Sequence, residues 1–178
     1  MTDGIILGRF QPFHLGHLEF AVEAKARCDR LYIGITNPDV ENRQFSEYDP
    51  SRSKPENNPL GYFDRARMIE DTVRDIGWQI DDFMVVPAPI GDTERLLGYL
   101  PPPDQTIFLA TIYDKWGEEK IRRLEGLGYK SEVMWTRTYD ERFTTGTEVR
   151  QLIRGGAAWE HLVPAPVAAY IKKQCISL

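Results

Sequence analysis

The stretch IILGRFQPFHLGH, residues 5–17, decides how the rest of the chain is read. Its first three residues form a short apolar run that stops at Gly8, the pattern of a buried strand. A glycine at a strand end lets a ligand approach the backbone closely. The chain then turns through Arg9, Phe10 and Gln11 into a helix expected over about 16–27, with Leu18, Ala21 and Val22 on its buried face. The start of such a helix offers unpaired N–H groups to an anion. His14 and His17 are three apart and share a face if the helix begins nearby. Two imidazoles there can donate hydrogen bonds to phosphate oxygens, or carry charge if the site raises their pKa. Arg9 adds a fixed cation suited to two-pronged phosphate binding. Two plainer readings compete: a glycine turn with two surface histidines, and half a zinc site. Zinc needs three or four ligands, and beyond this pair the chain offers only His161, Cys28 and Cys175.

Working outward, apolar runs alternate with amphipathic ones. Strands are expected at 5–7, 31–36, 83–86, 106–110 and 132–135. Further helices are expected with Met68, Ile69, Thr72, Val73 and Ile76 inward, over 115–125 with Ile121 and Leu124 inward, and near 147–154 and 164–173. Strands alternating with helices predict an α/β fold, a Rossmann-like doubly wound parallel sheet of about five strands with helices on both faces. Ligands in such sheets bind beyond the carboxyl ends of the strands, near a topological switch point. Residues 37–59 are polar, carry four prolines, and read as a long loop. Its Arg43, Arg52 and Lys54 are either solvated charges or a basic cover for phosphates.

The second chemical stretch is TTGTEVRQLI, residues 144–153. Thr145 to Glu148 fits a capping box, with Thr145 as N-cap and Glu148 reaching back. The same helix start carries two hydroxyls, Thr145 and Thr147, with Arg150 one turn inside, which also suits a phosphate.

At 178 residues the chain suits a single domain, 1–178. With 42% hydrophobic residues it has material for a packed core. The formal charge of −5 disfavours a nucleic-acid partner but leaves room for a small phosphorylated ligand in a local basic site. No apolar run is long enough to cross a bilayer, no signal peptide is evident, and two distant cysteines do not make a disulfide framework, so a cytoplasmic protein without membrane contact is expected. No Gly-Lys dipeptide occurs, which excludes a P-loop, and no Gly-x-Gly-x-x-Gly occurs, which disfavours a dinucleotide dehydrogenase.

GRFQPFHLGH resembles the His-x-Gly-His signature of the nucleotidylyltransferase superfamily, with flanks most similar to archaeal-type nicotinamide-nucleotide adenylyltransferases. TTGTEVR resembles that family's second signature. Asn58-Pro59 followed by Arg65, Pro89-Ile90-Gly91-Asp92 and WEHLVPAPV (159–167) resemble other family segments. In that last piece Trp159, Leu162 and Val163 are expected in the core and His161 as a structural hydrogen-bonder.

The resemblance implies catalytic roles for His14, His17, Thr147 and Arg150. It implies nucleotide contacts from Gly8, Arg9, Phe10, Gln11, Gly16, Thr145 and Gly146, and acceptor contacts from Asn58, Arg65 and Asp92, with Tyr113 or Trp116 as stacking replacements. It further implies Mg²⁺ bound through the triphosphate, no protein metal site, and a possible homo-oligomer. The sequence departs from the family's pattern in two places. DTERLLGYL (92–100) lacks the Asn and Trp on the nicotinamide side, and ATIYDKW (110–116) lacks the Gly-Asn after the strand. The resemblance makes ATP with nicotinamide mononucleotide, giving NAD, the first expectation; the departures raise the alternative of CTP with another phosphate or phosphonate acceptor.

Overall fold

The computed structural model describes residues 2–39, 54–176 and 178. Five parallel strands form one sheet in the order β3-β2-β1-β4-β5. They are β1 (Asp3–Gly8), β2 (Arg30–Thr36), β3 (Phe83–Ala88), β4 (Thr106–Ile112) and β5 (Lys130–Thr136). The helices are α1 (Leu15–Lys25), α2 (Tyr62–Asp75), α3 (Thr93–Leu97), α4 (Lys115–Gly126), α5 (Gly146–Arg154) and α6 (Ala165–Lys173). The strands fall where apolar runs place them. Pro87 is accommodated because β3 is an edge strand, paired only to β2.

Side-chain alternation divides the interior into two layers. Leu31, Ile33 and Ile35 of β2, with Ile6 of β1, pack against Ala21, Met68, Ile69, Val73 and Val167 on one face. Ile5 and Leu7 of β1 with Phe108 and Ala110 of β4 face the other way, onto Leu96, Trp116 and Leu124. Helices therefore cover both faces, as a parallel sheet buried on both sides requires.

Three expectations about packing need correction. Val22 is 43% exposed, and the inward residues of α1 are Phe20, Ala21 and Ala24. Ile76 is also 43% exposed, because it stands after the last turn of α2, where the helical face no longer continues. α3 was not expected; Asp92 starts it by accepting Arg95 N–H, and Leu96 anchors it. Residues 40–53, including Arg43 and Arg52, lie outside the described residues; within the loop, 55–57 form a 3₁₀ turn and Lys54 is exposed. Trp159, Leu162 and Val163 are buried as expected, whereas His161 is exposed in a 3₁₀ turn. Both cysteines are free thiols.

One feature of the ladder creates the site. β1 pairs with β2 along its whole length but with β4 only at Asp3↔Thr106, Gly4↔Ile107 and Ile5↔Phe108. Beyond those pairs β1 and β4 are no longer joined, at the point where chain order reverses. A crevice opens between the carboxyl ends of the two central strands.

Candidate functional site

A cavity of about 450 Å³ fills that crevice, a size suited to a small ligand. Leu7 and Gly8 of β1, Thr111 of β4, and the starts of α1, α4 and α5 enclose it.

The turn after β1 is shaped by its aromatic residues. Phe10 has φ of 53°, a left-handed conformation that costs a non-glycine residue free energy. Its ring then folds back over Gly8, where a Cβ would sit 2.5 Å from ring atoms, so the position requires glycine. His14 is the N-cap residue of α1, and its backbone N–H donates to His17 Nδ1 at 3.3 Å. The His17 ring is stacked on His14 at 3.6 Å between centroids, lies on Phe13 at 5.7 Å, and meets Phe10 edge-on at 4.9 Å. An imidazole held this way has little rotational freedom.

Burial, with the nearby Arg142, pushes the His14 imidazole down to about 3. Burial, followed by His14, Arg142, Arg9 and Lys120, holds His17 well below its ordinary value. Both rings are neutral at pH 7 in the free protein.

The start of α5 arrives from the opposite wall. Thr145 caps it, accepting Glu148 N–H at 3.1 Å. The Glu148 carboxylate accepts the Thr144 hydroxyl at 2.9 Å, where reciprocal capping of Thr145 was expected. Gly146 passes so near the first turn that a Cβ there would sit 2.6 Å from the Gln11 carbonyl oxygen. Arg150, 2% exposed, donates from Nη1 to Gln11 O at 2.6 Å, and from Nη2 to Asn57 Oδ1 at 2.9 Å and Thr147 Oγ1 at 3.2 Å. Gln11 also pairs twice with the Leu60 backbone, at 3.0 Å in each direction. Three stretches distant in sequence are thus tied together at the floor of the cavity.

The cavity gathers all of the expected catalytic and nucleotide residues: His14, His17, Thr147, Arg150, Gly8, Arg9, Phe10, Gln11, Gly16, Thr145 and Gly146. Of the expected acceptor residues it gathers Tyr113 and Trp116. Three others are used differently. Arg65 is fully buried and donates to the carbonyls of Gly61, Arg9, Thr36 and Asn37. It clamps the carboxyl ends of β1 and β2 and is not placed on the cavity wall. Asn58 is buried behind the wall and donates to Lys54 O, and Asp92 is occupied as the α3 cap. Arg150 is held in a way that withholds a two-pronged grip from a phosphate. Either fork of a guanidinium uses an Nη2 hydrogen, and both are committed to Asn57 and Thr147.

Sequence reading missed Lys120 of α4, Arg137 after β5, and Arg142 before α5, all on the cavity wall. No local pattern marks them. Lys120 sits in a run of charged helical residues, and Arg142 becomes notable only because its guanidinium lies 4.0 Å over the Tyr113 ring. Among the described residues no group of three or more His, Cys, Asp or Glu side chains is placed to hold a metal, so nothing there completes a zinc site around His14 and His17.

The turn after β1 and the start of α5 meet at the switch point of the sheet, and the protein's relatives make it a nucleotidyltransferase. The chain belongs to the cytidylyltransferase-like family, which matches residues 5–152. A phosphonoformate cytidylyltransferase from Streptomyces viridochromogenes is 41% identical over 172 residues, covering 97% of this chain and 91% of that protein. A nicotinamide-nucleotide adenylyltransferase from Archaeoglobus fulgidus is 30% identical over 175 residues, covering 94% and 88%. The solved structure of a bifunctional NMN adenylyltransferase/ADP ribose pyrophosphatase from Francisella tularensis, complexed with AMP and a Mn ion, aligns with a TM-score of 0.65 at 17% identity. This chain is covered to 97% by that alignment and spans 50% of that protein, a likeness of fold alone.

Proposed function

We propose that this enzyme transfers a cytidylyl group from CTP to a small phosphonate or phosphate acceptor, releasing pyrophosphate. The observation that carries the choice is the near-full-length match, at 41% identity, to a phosphonoformate cytidylyltransferase. The acceptor region supports it. Residues 92–100, where the adenylyltransferase pattern places Asn and Trp, here carry the short helix α3 and the turn after it, with Leu96 and Leu100 buried in the core.

An anionic acceptor oxygen attacks the α-phosphorus. A new P–O bond forms, the α–β bridging bond breaks, and pyrophosphate leaves with the electron pair. The nucleophile is already ionised, so alignment and charge neutralisation are the main tasks, and no strong base is needed. The starts of α1 and α5 offer N–H groups to the polyphosphate, Gly146 lets the second turn close onto the first, and His14, His17 and Thr147 line the cavity that would hold it. Mg²⁺ entering on the triphosphate would neutralise charge on its oxygens, and few protein ligands are then required.

Pyrophosphate release measured over a grid of triphosphates and acceptors tests the choice. CTP with phosphonoformate or a simple alkylphosphonate should give the highest kcat/KM. Faster turnover of ATP with nicotinamide mononucleotide would reverse it. That second reading draws on the adenylyltransferase relatives, at 26–30% identity.

A further inference from the structure

We propose that Phe143 is the platform on which the nucleobase of the bound triphosphate stacks. The proposal rests on the nucleotidyl-transfer reading of the cavity and assigns to it a residue that neither sequence signature contains.

A nucleoside triphosphate presents two kinds of surface: a charged tail, and a flat base whose faces gain by leaving water. The turns at α1 and α5 serve the tail whatever base it carries. A small phosphonate acceptor brings no ring, so an aromatic platform in this cavity serves the nucleotide.

Besides the two histidines, five aromatic residues line the wall, and they differ in what they offer. Phe10 is fully buried, its ring held by Gly8, Phe13 and His17. Phe20 and Trp116 are also buried, and Phe20 meets Trp135 edge-on at 6.0 Å. The Tyr113 ring has the Arg142 guanidinium over one face at 4.0 Å, and its hydroxyl accepts Trp135 Nε1–H at 3.0 Å. Phe143 stands apart at 61% exposure. A phenyl ring left in water at the rim of a cavity is apolar surface that a ligand would cover.

The chain around Phe143 is anchored on both sides while the ring itself is not buried. Arg142 before it sits over Tyr113. Thr144 after it is buried and donates its hydroxyl to Glu148 at 2.9 Å. The Thr144 carbonyl lies beside the first turn of α1, 3.8 Å from where a Cβ on Gly16 would be. A ring on a segment fixed at both ends loses little freedom when a base settles on it. Phe143 is two residues before Thr145, the N-cap of α5, and two residues of chain span at most about 7 Å. One nucleotide can therefore reach both the N–H groups of α5 and this ring. Stacking accepts the π-face of any base, so Phe143 favours nucleotide over bare polyphosphate without choosing between cytosine and adenine.

Isothermal titration with CTP and with inorganic tripolyphosphate, in the absence of acceptor, tests the assignment. Phe143→Ala should weaken CTP binding about tenfold or more and leave tripolyphosphate binding unchanged, at unchanged Tm. Phe143→Tyr should recover most of the loss, and Phe143→Leu, apolar but without a π-face, should recover less. In steady state Phe143→Ala should raise KM for CTP with little change in kcat, because the stack is made equally before and during transfer. Phe143→Trp supplies a direct readout: CTP should quench the emission gained over the unaltered enzyme, and tripolyphosphate should not. CTP binding by Phe143→Ala as tight as that of the unaltered enzyme would overturn the proposal. Equal losses of CTP and tripolyphosphate would overturn it too, since they mark damage to the phosphate turn. Should the activity grid favour ATP over CTP, the choice of triphosphate fails while Phe143 keeps its role, and ATP then shows the same pattern of losses. Should neither nucleotide bind the unaltered enzyme, both fall.

Discussion

His14 makes the stability of the free enzyme depend on acidity, and the sign is fixed by its depressed pKa. The unfolded chain binds a proton near pH 6.5, whereas the folded one resists it down to about 3. Stability is therefore full above about pH 7 and falls progressively as pH drops through that window. At pH 5 the loss from His14 alone is on the order of 2 kcal/mol, from 1.36 kcal/mol per pH unit. Thermal melts at pH 5 and 7.5 check this, and His14→Gln should reduce the difference, leaving the part due to His17. Arg150 is the other residue whose work is mostly structural before substrate binds. Arg150→Lys removes the planar donor set that joins Gln11, Asn57 and Thr147. Destabilisation of about 2 kcal/mol is expected, together with a large loss of activity. A melt superimposable on the wild type would contradict that role.

At the scale of elements, the two signatures are assembled by backbone proximity. Gly146→Ala would drive a methyl group to 2.6 Å from the Gln11 carbonyl. The first turn or α5 must then shift, so activity should fall by tenfold or more even where the protein still folds, measured as kcat/KM beside a circular-dichroism spectrum. Arg65→Met would remove the guanidinium donor from the carbonyls of Arg9, Thr36 and Asn37 at the ends of β1 and β2. The cost should be about 3 kcal/mol or more, read from urea unfolding.

These elements also mark how far a sequence can be read. The five strands were legible because apolar runs bounded by Gly, Pro or polar residues leave few alternatives. The faces of α1 and α2 were legible except at Val22 and Ile76, where apolar character was mistaken for burial; lone exposed apolar side chains are ordinary at helix ends and surfaces. The meeting of residues 8–17 with 144–153 was legible through motif chemistry and the switch-point rule. Lys120, Arg142 and the carbonyl-clamping use of Arg65 were not. Each depends on a partner tens of residues away, and a charged residue has the same sequence signature whether it faces solvent, a ligand or a buried carbonyl.

Taken whole, the molecule carries a net charge of −5, yet the charged residues of its central cavity are mostly basic. Such an arrangement concentrates field where water is scarce and keeps the exterior unattractive to large polyanions. Saturating nucleotide should stabilise the fold by linkage, about 2.7 kcal/mol at a hundredfold excess over Kd. A rise in Tm should accompany CTP with Mg²⁺; an unchanged Tm with CTP would contradict binding at this site.

The short ladder between β1 and β4 has a consequence for how the enzyme could be re-engineered. Register between the two strands is set by residues 3–5 and 106–108, well away from the crevice. Residues 111–114, at and just beyond the open end of β4, take no part in that pairing with β1. Grafting a relative's segment there should exchange ligand preference while the scaffold keeps its alignment, so rigidity and adaptability are parcelled out along a single strand.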